Sequence, residues 1–333
     1  MKATETTLLS FLKRSQQFVI PIYQRTYSWT EKECTQLWGD IVRAGQNEMV
    51  RAHFVGSFVY IEKGLYQVSS QSPLMVIDGQ QRLTSVSLLL EALARKLGDD
   101  EPADGLSAEK LRSYYLQNPL ETGENRFKLL LSQSDKGTLL ALIQQKDLPD
   151  EHSLRVEKNF EFFQEKIAAL EPSDLLALWS GLSKLSVVDI SLDREQDNPQ
   201  LIFESMNSTG LELSQADLIR NYVLMGLEPD HQAELYNGHW RPMELNFGQK
   251  AYGAHFDSFM RHYLTLKTGE IPKIKAVYEA FKAHSREPEV SREPEVEQRR
   301  VDELVRDLQS FAGYYCAMAL GEESDPKLDE AFQ

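Results

Sequence analysis

Apolar residues gather in five short runs of strand length along the chain: QFVIPIY (17–23), FVGSFVYIE (54–62), PLMVID (73–78), RFKLLL (126–131) and KLSVVDISL (184–192). Five such runs predict one small sheet. Elsewhere the apolar spacing shifts to three and four, which predicts helices around Leu37 and Ile41 and over 83–97, 108–116, 154–170, 216–225, 256–264 and 301–320. All the strand-like runs precede residue 195 and the remainder reads as helix. The pattern therefore predicts an α+β protein, with a sheet-containing lobe over 1–200 and a mostly α-helical lobe over 201–333, the boundary falling softly near 195–230. The segment SREPEVSREPEV (285–296) repeats six residues in tandem, and its prolines argue for an exposed linker rather than a continuous helix.

One polar corner interrupts the apolar pattern. In VIDGQQRLTSVSLLLEALARKL (76–97) a strand-like run stops at Asp78, turns through Gly79 and becomes an amphipathic helix. A helix that starts there aims unpaired backbone N–H groups outward, where its dipole favours an anion. Gly79 admits a close approach, Gln80 and Gln81 bring neutral donors and acceptors, and Arg82 brings a fork-shaped cation. Asp78 would repel phosphate unless it holds a magnesium ion, a sugar hydroxyl, a base or a water. The plainer reading makes Asp78 the cap of the helix, worth roughly 1 kcal/mol. Neither GxxxxGK[ST] nor GxGxxG occurs, so the standard nucleotide fingerprints are missing.

Two further polar stretches flank sheet and helix signals. IPIYQRTYSW (20–29) follows a strand and leads into Thr30-Glu31-Lys32-Glu33, a capping box, which fixes Gln24 and Arg25 at a strand edge beside Tyr23, Tyr27 and Trp29. In IFESMNSTGLELSQADLIRNYVL (202–224), Asn207 opens a turn that can contact a ligand or simply position the helix carrying Arg220 and Asn221, with Ser214 and Asp217 capping that helix. His53, in HFVGSFVY (53–60), reads as structural, and Gly56 marks a close approach.

Composition narrows the function classes. A 333-residue chain with 41% hydrophobic residues has ample material for two cores. Its 36 Lys+Arg against 51 Asp+Glu, net −15, argue against a surface coated for nonspecific nucleic-acid or anionic-membrane binding, although local basic patches stay open. From 285 to 333 there are 13 acidic and 6 basic residues, so much of the excess charge lies at one end. Cys34 and Cys316 form no CxxC, which suggests neither a disulfide framework nor a zinc cluster and fits a reducing cytoplasm. The start, MKATETTLLSFLKR, lacks a signal-peptide core, and no apolar run has membrane-spanning length, so the expectation is a soluble cytoplasmic protein. The most basic, aromatic-rich segment runs from His239 to Lys275. Its lysines and arginines suit DNA phosphates, while core packing accounts better for Trp240, Phe247, Tyr252, Phe256, Phe259 and Tyr263.

The blocks IPxYQRxYxW, HFxGSxVY and VIDGQQRLT, with FExxNxxGxxLSxADLIxN after them, resemble the N-terminal domain of GmrSD-type modification-dependent restriction proteins, from about Ser15 to Leu224. That family is related to the ParB and sulfiredoxin-like fold. The resemblance implies an NTP-binding and NTP-hydrolysing lobe, using GTP or ATP with Mg2+, that controls cleavage of modified DNA in antiphage defence. Carried over, Asp78 and Arg82 are the candidate catalytic residues, and Gln24, Arg25, Gly79, Gln80, Gln81, Thr84 and Asn207 the candidate nucleotide contacts. It also implies a nuclease domain in a longer chain or a partner protein. The seven histidines (53, 152, 231, 239, 255, 262 and 284) form no HNH-like arrangement, so the chain reads either as truncated before its nuclease, the preferred reading, or as a natural protein without one. Two rival readings stay open: a non-hydrolysing sensor of modified DNA, and a nuclease built on the ParB-like lobe itself.

Overall fold

A computed structural model describes residues 1–14, 17–62, 73–193, 197–207, 213–225, 227–285 and 294–321. The chain forms two compact units: residues 1–21 with 25–203, and residues 22–24 with 204–333.

The first unit is built in the order β1 (Lys2–Thr7), α1 (Leu8–Arg14), β2 (Phe18–Val19), α2 (Glu31–Gln46), β3 (His53–Glu62), β4 (Leu74–Asp78), α3 (Gln80–Leu97), α4 (Ala108–Leu111), β5 (Leu129–Leu130), α5 (Gln133–Gln144), α6 (Leu154–Ala168), α7 (Pro172–Ser183) and β6 (Leu185–Leu192). The helix α8 (Pro199–Asn207) follows. The strands form one mixed sheet in the order β1-β6-β3-β4-β2-β5. β1 runs antiparallel to β6 and β3 antiparallel to β4, while β3 and β6, β2 and β4, and β2 and β5 are parallel. The α+β expectation therefore holds: four of the six strands lie inside the predicted runs, and β3 begins one residue before its own. The sixth, β1, reads KATETT and is exposed along most of its length, so it offered no apolar alternation to read.

Burial explains why the polar corner is so well fixed. On β4 the successive residues Val76 and Ile77 are both buried although they face opposite sides of the sheet, so the strand is covered on both faces. Every residue of α3 from Leu83 to Ala94 is buried, and α3 packs on α4, α5 and α6. The helix that starts at Gly79 is thus enclosed along most of its length.

The second unit contains α9 (Gln215–Leu224), α10 (Pro229–Leu235), α11 (Arg241–Thr268, kinked at Gly248), α12 (Val277–Ser285) and α13 (Pro294–Leu320). Its core holds Tyr236, Trp240, Phe247, Phe256, Phe259 and Tyr263, each no more than 1% exposed. These rings fill the core and are not available to stack on a base. Tyr23, from the short segment 22–24, belongs to the same core. Most of the tandem repeat (residues 286–293), the turn at 208–212 and the acidic end beyond Gly321 lie outside the described residues. Among the described residues no helix is long and apolar enough to cross a membrane.

Candidate functional site

The corner at Asp78 forms where β4 ends and α3 begins. The N-cap of α3 is Gly79, at φ +102°, and no side chain caps the helix. Asp78 does not take the capping role that the plainer reading gave it. Its Oδ2 accepts from Nη2 of Arg82 at 3.0 Å, one turn further on. Among the described residues no side chain accepts from the first-turn N–H groups of this 18-residue helix, and they carry the positive end of its dipole.

Arg82 is held by the sheet as well as by Asp78. Its Nη2 donates to the Ser57 carbonyl at 2.7 Å and Nη1 approaches the Val55 carbonyl at 3.4 Å, while the guanidinium lies over the Phe58 ring. Here β3 slips register against β6 between Phe54 and Ser57. Gly56 occupies that irregularity at φ +114°, and a Cβ built on it would stand 2.0 Å from Nη1 of Arg82. The close approach that the sequence signalled at Gly56 is thus made by the chain's own arginine. Arg82 and Asp78 remain partly accessible, with side chains 25% and 35% exposed.

The two glutamines have different roles. Gln80 is buried and its Nε2 donates to the Arg25 carbonyl at 2.9 Å. Gln81 Oε1 accepts from the backbone N–H groups of Ser28 (2.8 Å) and Trp29 (3.1 Å) and faces the Ser28 hydroxyl at 3.3 Å. Two backbone donors fix which end of that amide is oxygen. Its Nε2 is consequently fixed too, and this buried donor has no hydrogen-bond partner among the described residues. Thr84 is fully buried, and its hydroxyl donates to the Gln80 carbonyl within the helix. Arg25 is half-buried in the first unit, whereas Gln24 is buried and belongs with the second unit. Asn207 ends α8, and its side chain lies outside the described residues.

The loop from Arg25 to Thr30 is clamped by residues that sequence reasoning missed. The Tyr27 N–H donates to Asp135 Oδ2 at 2.6 Å, and Asn159 Nδ2 donates both to the Tyr27 hydroxyl (2.9 Å) and to the Trp29 carbonyl (2.8 Å). Tyr27 also shares a hydrogen bond with Ser85 at 2.6 Å. Burial raises the Tyr27 hydroxyl well above its ordinary range, so it stays protonated, and burial also pushes the Asp135 carboxyl up. One signal pointed to Asn159: it stands on the buried stripe of Val156, Phe160, Phe163 and Ile167 in α6, where a polar residue must find a partner. Asp135 carried no comparable mark. The capping box at Thr30 forms as expected, with Glu33 Oε2 accepting from the Thr30 N–H at 2.7 Å. His53 lies 3.6 Å from Asp40, a structural placement away from the corner.

In the second unit, Arg220 is 3% exposed and ties the fourth block to the first. Its Nε donates to the Tyr23 carbonyl at 2.8 Å, with Asp217 (2.9 Å) and Glu244 (2.6 Å) as counter-ions. Ser214 caps α9 by accepting from the Asp217 N–H at 3.0 Å. His239, His255 and His262 join no metal cluster, and none of three or more His, Cys, Asp or Glu occurs among the described residues.

A mixed sheet whose central strand β4 leads through Gly79 into α3, beside a clamped aromatic loop, defines an α+β class of domain. Residues 8–224 match the family model of the GmrSD restriction endonuclease N-terminal domain, and the chain belongs to that family. Membership ties the protein to restriction. A search of curated proteins found no match.

Proposed function

We propose that the first unit is a nucleotide-binding, NTP-hydrolysing domain that regulates a modification-dependent restriction nuclease, with the α3 N-terminus as the phosphate cradle. The observation that carries the reading is the Gln81 amide: its oxygen is fixed by Ser28 and Trp29, while its buried Nε2 has no acceptor among the described residues, beside a helix start without a side-chain cap. Unsatisfied buried donors are uncommon and cost about 1–3 kcal/mol. A phosphate oxygen satisfies that donor and the first-turn N–H groups together.

The residues present suit such a ligand. Gly79 makes the turn into the helix at φ +102°, where a Cβ would meet the Phe58 ring at 2.3 Å, and Arg25 adds a second cation on the clamped loop. Asp78 is the carboxylate at the corner, and a magnesium ion held by it with phosphate oxygens would neutralise charge that builds up during phosphoryl transfer. Arg82, aligned by Ser57 and Asp78, keeps that carboxylate oriented.

Gln81→Glu tests this directly. The glutamate keeps an acceptor for Ser28 and Trp29 but replaces the spare donor with negative charge. The expected outcome is an unchanged fold with loss of NTP-induced thermal stabilisation and of phosphate release. For the unaltered protein, a nucleotide at about 100 times its Kd with Mg2+ adds about 2.7 kcal/mol to the folded state. No stabilisation by any of the four NTPs would remove the reading. One observation favours a second reading, a DNA sensor without turnover: Arg82 already has Asp78 as counter-ion, which leaves mainly neutral donors at the corner. Binding of modified duplex without nucleotide, and with no phosphate release, would select it.

A further inference from the structure

A groove of about 350 Å³ in the first unit, separate from the α3 corner, is lined by Arg112, Gln117, Arg126, Gln144, Gln145 and Lys146 together with Ile143. The lining holds three cations and three amides and no carboxylate, in a chain whose net charge is −15.

The walls are held rather than loosely arranged. Arg112 is anchored from behind by Glu91, whose side chain is 1% exposed, through Nε to Oε2 and Nη2 to Oε1, both at 2.9 Å. Arg95 binds the same carboxylate at 3.1 Å and donates to the Leu142 carbonyl at 2.6 Å, so the C-terminal end of α5 is partly neutralised. The Gln117 N–H donates to the Arg112 carbonyl at 2.7 Å, and a backbone bridge joins Gln117 to Phe127. On the opposite wall, Gln145 ends α5 at φ +56°, and the Lys146 N–H donates to the Ala141 carbonyl at 2.9 Å. Counting Glu91 and Arg95 behind the lining, four cations face one carboxylate, so the groove region carries net charge +3.

We propose that this groove is a second anion site that takes phosphoryl groups. Guanidinium forks and amide N–H groups around a concave, carboxylate-free surface are the donor set that phosphate oxygens require. The volume accommodates a single phosphorylated sugar or a short length of nucleic-acid backbone. Gln117 and the two α5 amides supply neutral donors between the charges, and Arg112, preset by Glu91, loses little freedom when it binds. The site stands independently of the nucleotide reading of the α3 corner.

The test uses the full chain with the charge-reversed pair R126E/K146E. Both side chains are exposed and neither forms an ion pair among the described residues, Arg126 making only a long 3.4 Å contact to Gln117 Oε1, so the fold is expected to be retained, which circular dichroism checks; Arg112 is left in place because it satisfies Glu91. The probes are a labelled short DNA, single-stranded and duplex, followed by anisotropy, and pyrophosphate followed by calorimetry. Loss of DNA affinity by about tenfold or more, with the salt slope reduced by about two, supports the site and identifies the phosphate source as a nucleic-acid backbone. Weakening of pyrophosphate alone supports it with a free polyphosphate as the source. Affinities for all the probes equal to those of the unaltered protein overturn it. Made in a Gln81→Glu background, which disables the α3 corner, R126E/K146E is expected to cause the same losses, so failure of one site is distinguishable from failure of the other.

Discussion

A methyl group at position 56 would collide with the Arg82 guanidinium at 2.0 Å, on a backbone already at φ +114°. Two separate blocks of sequence, HFVGSFVY and VIDGQQR, are therefore one contact in space, and the glycine belongs to the arginine's cradle. Gly56→Ala is expected to destabilise the fold by about 1–3 kcal/mol, through strain at a positive φ and displacement of Arg82. The change is also expected to depress phosphate release. Urea denaturation checks the first effect and a phosphate assay the second; a variant with unaltered midpoint and turnover would show that the cradle is dispensable. At this scale the sequence was legible where residue type is unusual, as at Gly56, Gly79 and the paired glutamines. It was silent at Asp135, an acidic residue whose role comes only from the Tyr27 N–H brought to it by the fold. The buried Asp135 carboxyl is raised above 3.8, so the native state holds that proton more tightly than the unfolded chain. Its contribution therefore weakens the fold as pH rises through the window above 3.8, and the penalty is complete once pH exceeds the native value. Asp135→Asn keeps an acceptor for Tyr27, and its stability relative to the unaltered protein is expected to grow across that window and then level off. Denaturation midpoints at stepped pH check this; a constant difference would contradict it.

At the scale of elements, helices with a strong apolar face were the easiest to read, and α3 and α6 lie where the periodicity put them. The predicted strand at 17–23 shortens to β2, two residues, because Pro21 has no N–H for a ladder and the chain leaves the sheet there. The helices α5 and α7 went unread: α5 carries a glycine near its middle and α7 one near its end, and each is flanked by turn-forming residues. Lys128 shows how an element end depends on a distant residue. It is 5% exposed, and its Nζ donates to the carbonyls of Leu12 (3.1 Å) and Lys13 (3.2 Å) at the end of α1. Burial pushes this ammonium down from 10.5 to about 8. Between those values the native state binds fewer protons than the unfolded chain, so this group's contribution to stability rises with pH from about 8 to 10.5 and is lost as pH falls through about 8. The neutral amine still has hydrogens for both carbonyls, so the bonds survive deprotonation. Against Lys128→Met, the unaltered protein is expected to gain on the order of 3 kcal/mol across that interval. Parallel urea titrations of the two proteins measure it, and a pH-independent difference would rule the shift out.

Across the whole molecule, the class and the family were legible because four motif blocks survive as contiguous stretches, whereas the place of segment 22–24 was not. The segment 22–24 belongs to the second unit although its neighbours on both sides belong to the first, a division that no local pattern records. Its consequence is energetic. Tyr23 is 6% exposed within the second core, and its carbonyl is an acceptor for the buried Arg220. A fragment of residues 204–333 would lack both the ring and the carbonyl. The missing ring would leave a void worth about 3–5 kcal/mol by analogy with deletion of a large aromatic from a core, and the orphaned Arg220 donor would add about 1–3 kcal/mol. Losses of that size are comparable with the whole stability of a small domain. The fragment made alone is expected to melt broadly and at lower temperature than the same unit within the full chain. Co-production with residues 1–203, which carry Tyr23, is expected to restore a cooperative transition. Calorimetry on the two preparations decides the matter: if the fragment alone melts as sharply and at the same temperature as in the intact protein, segment 22–24 is not an integral part of that core.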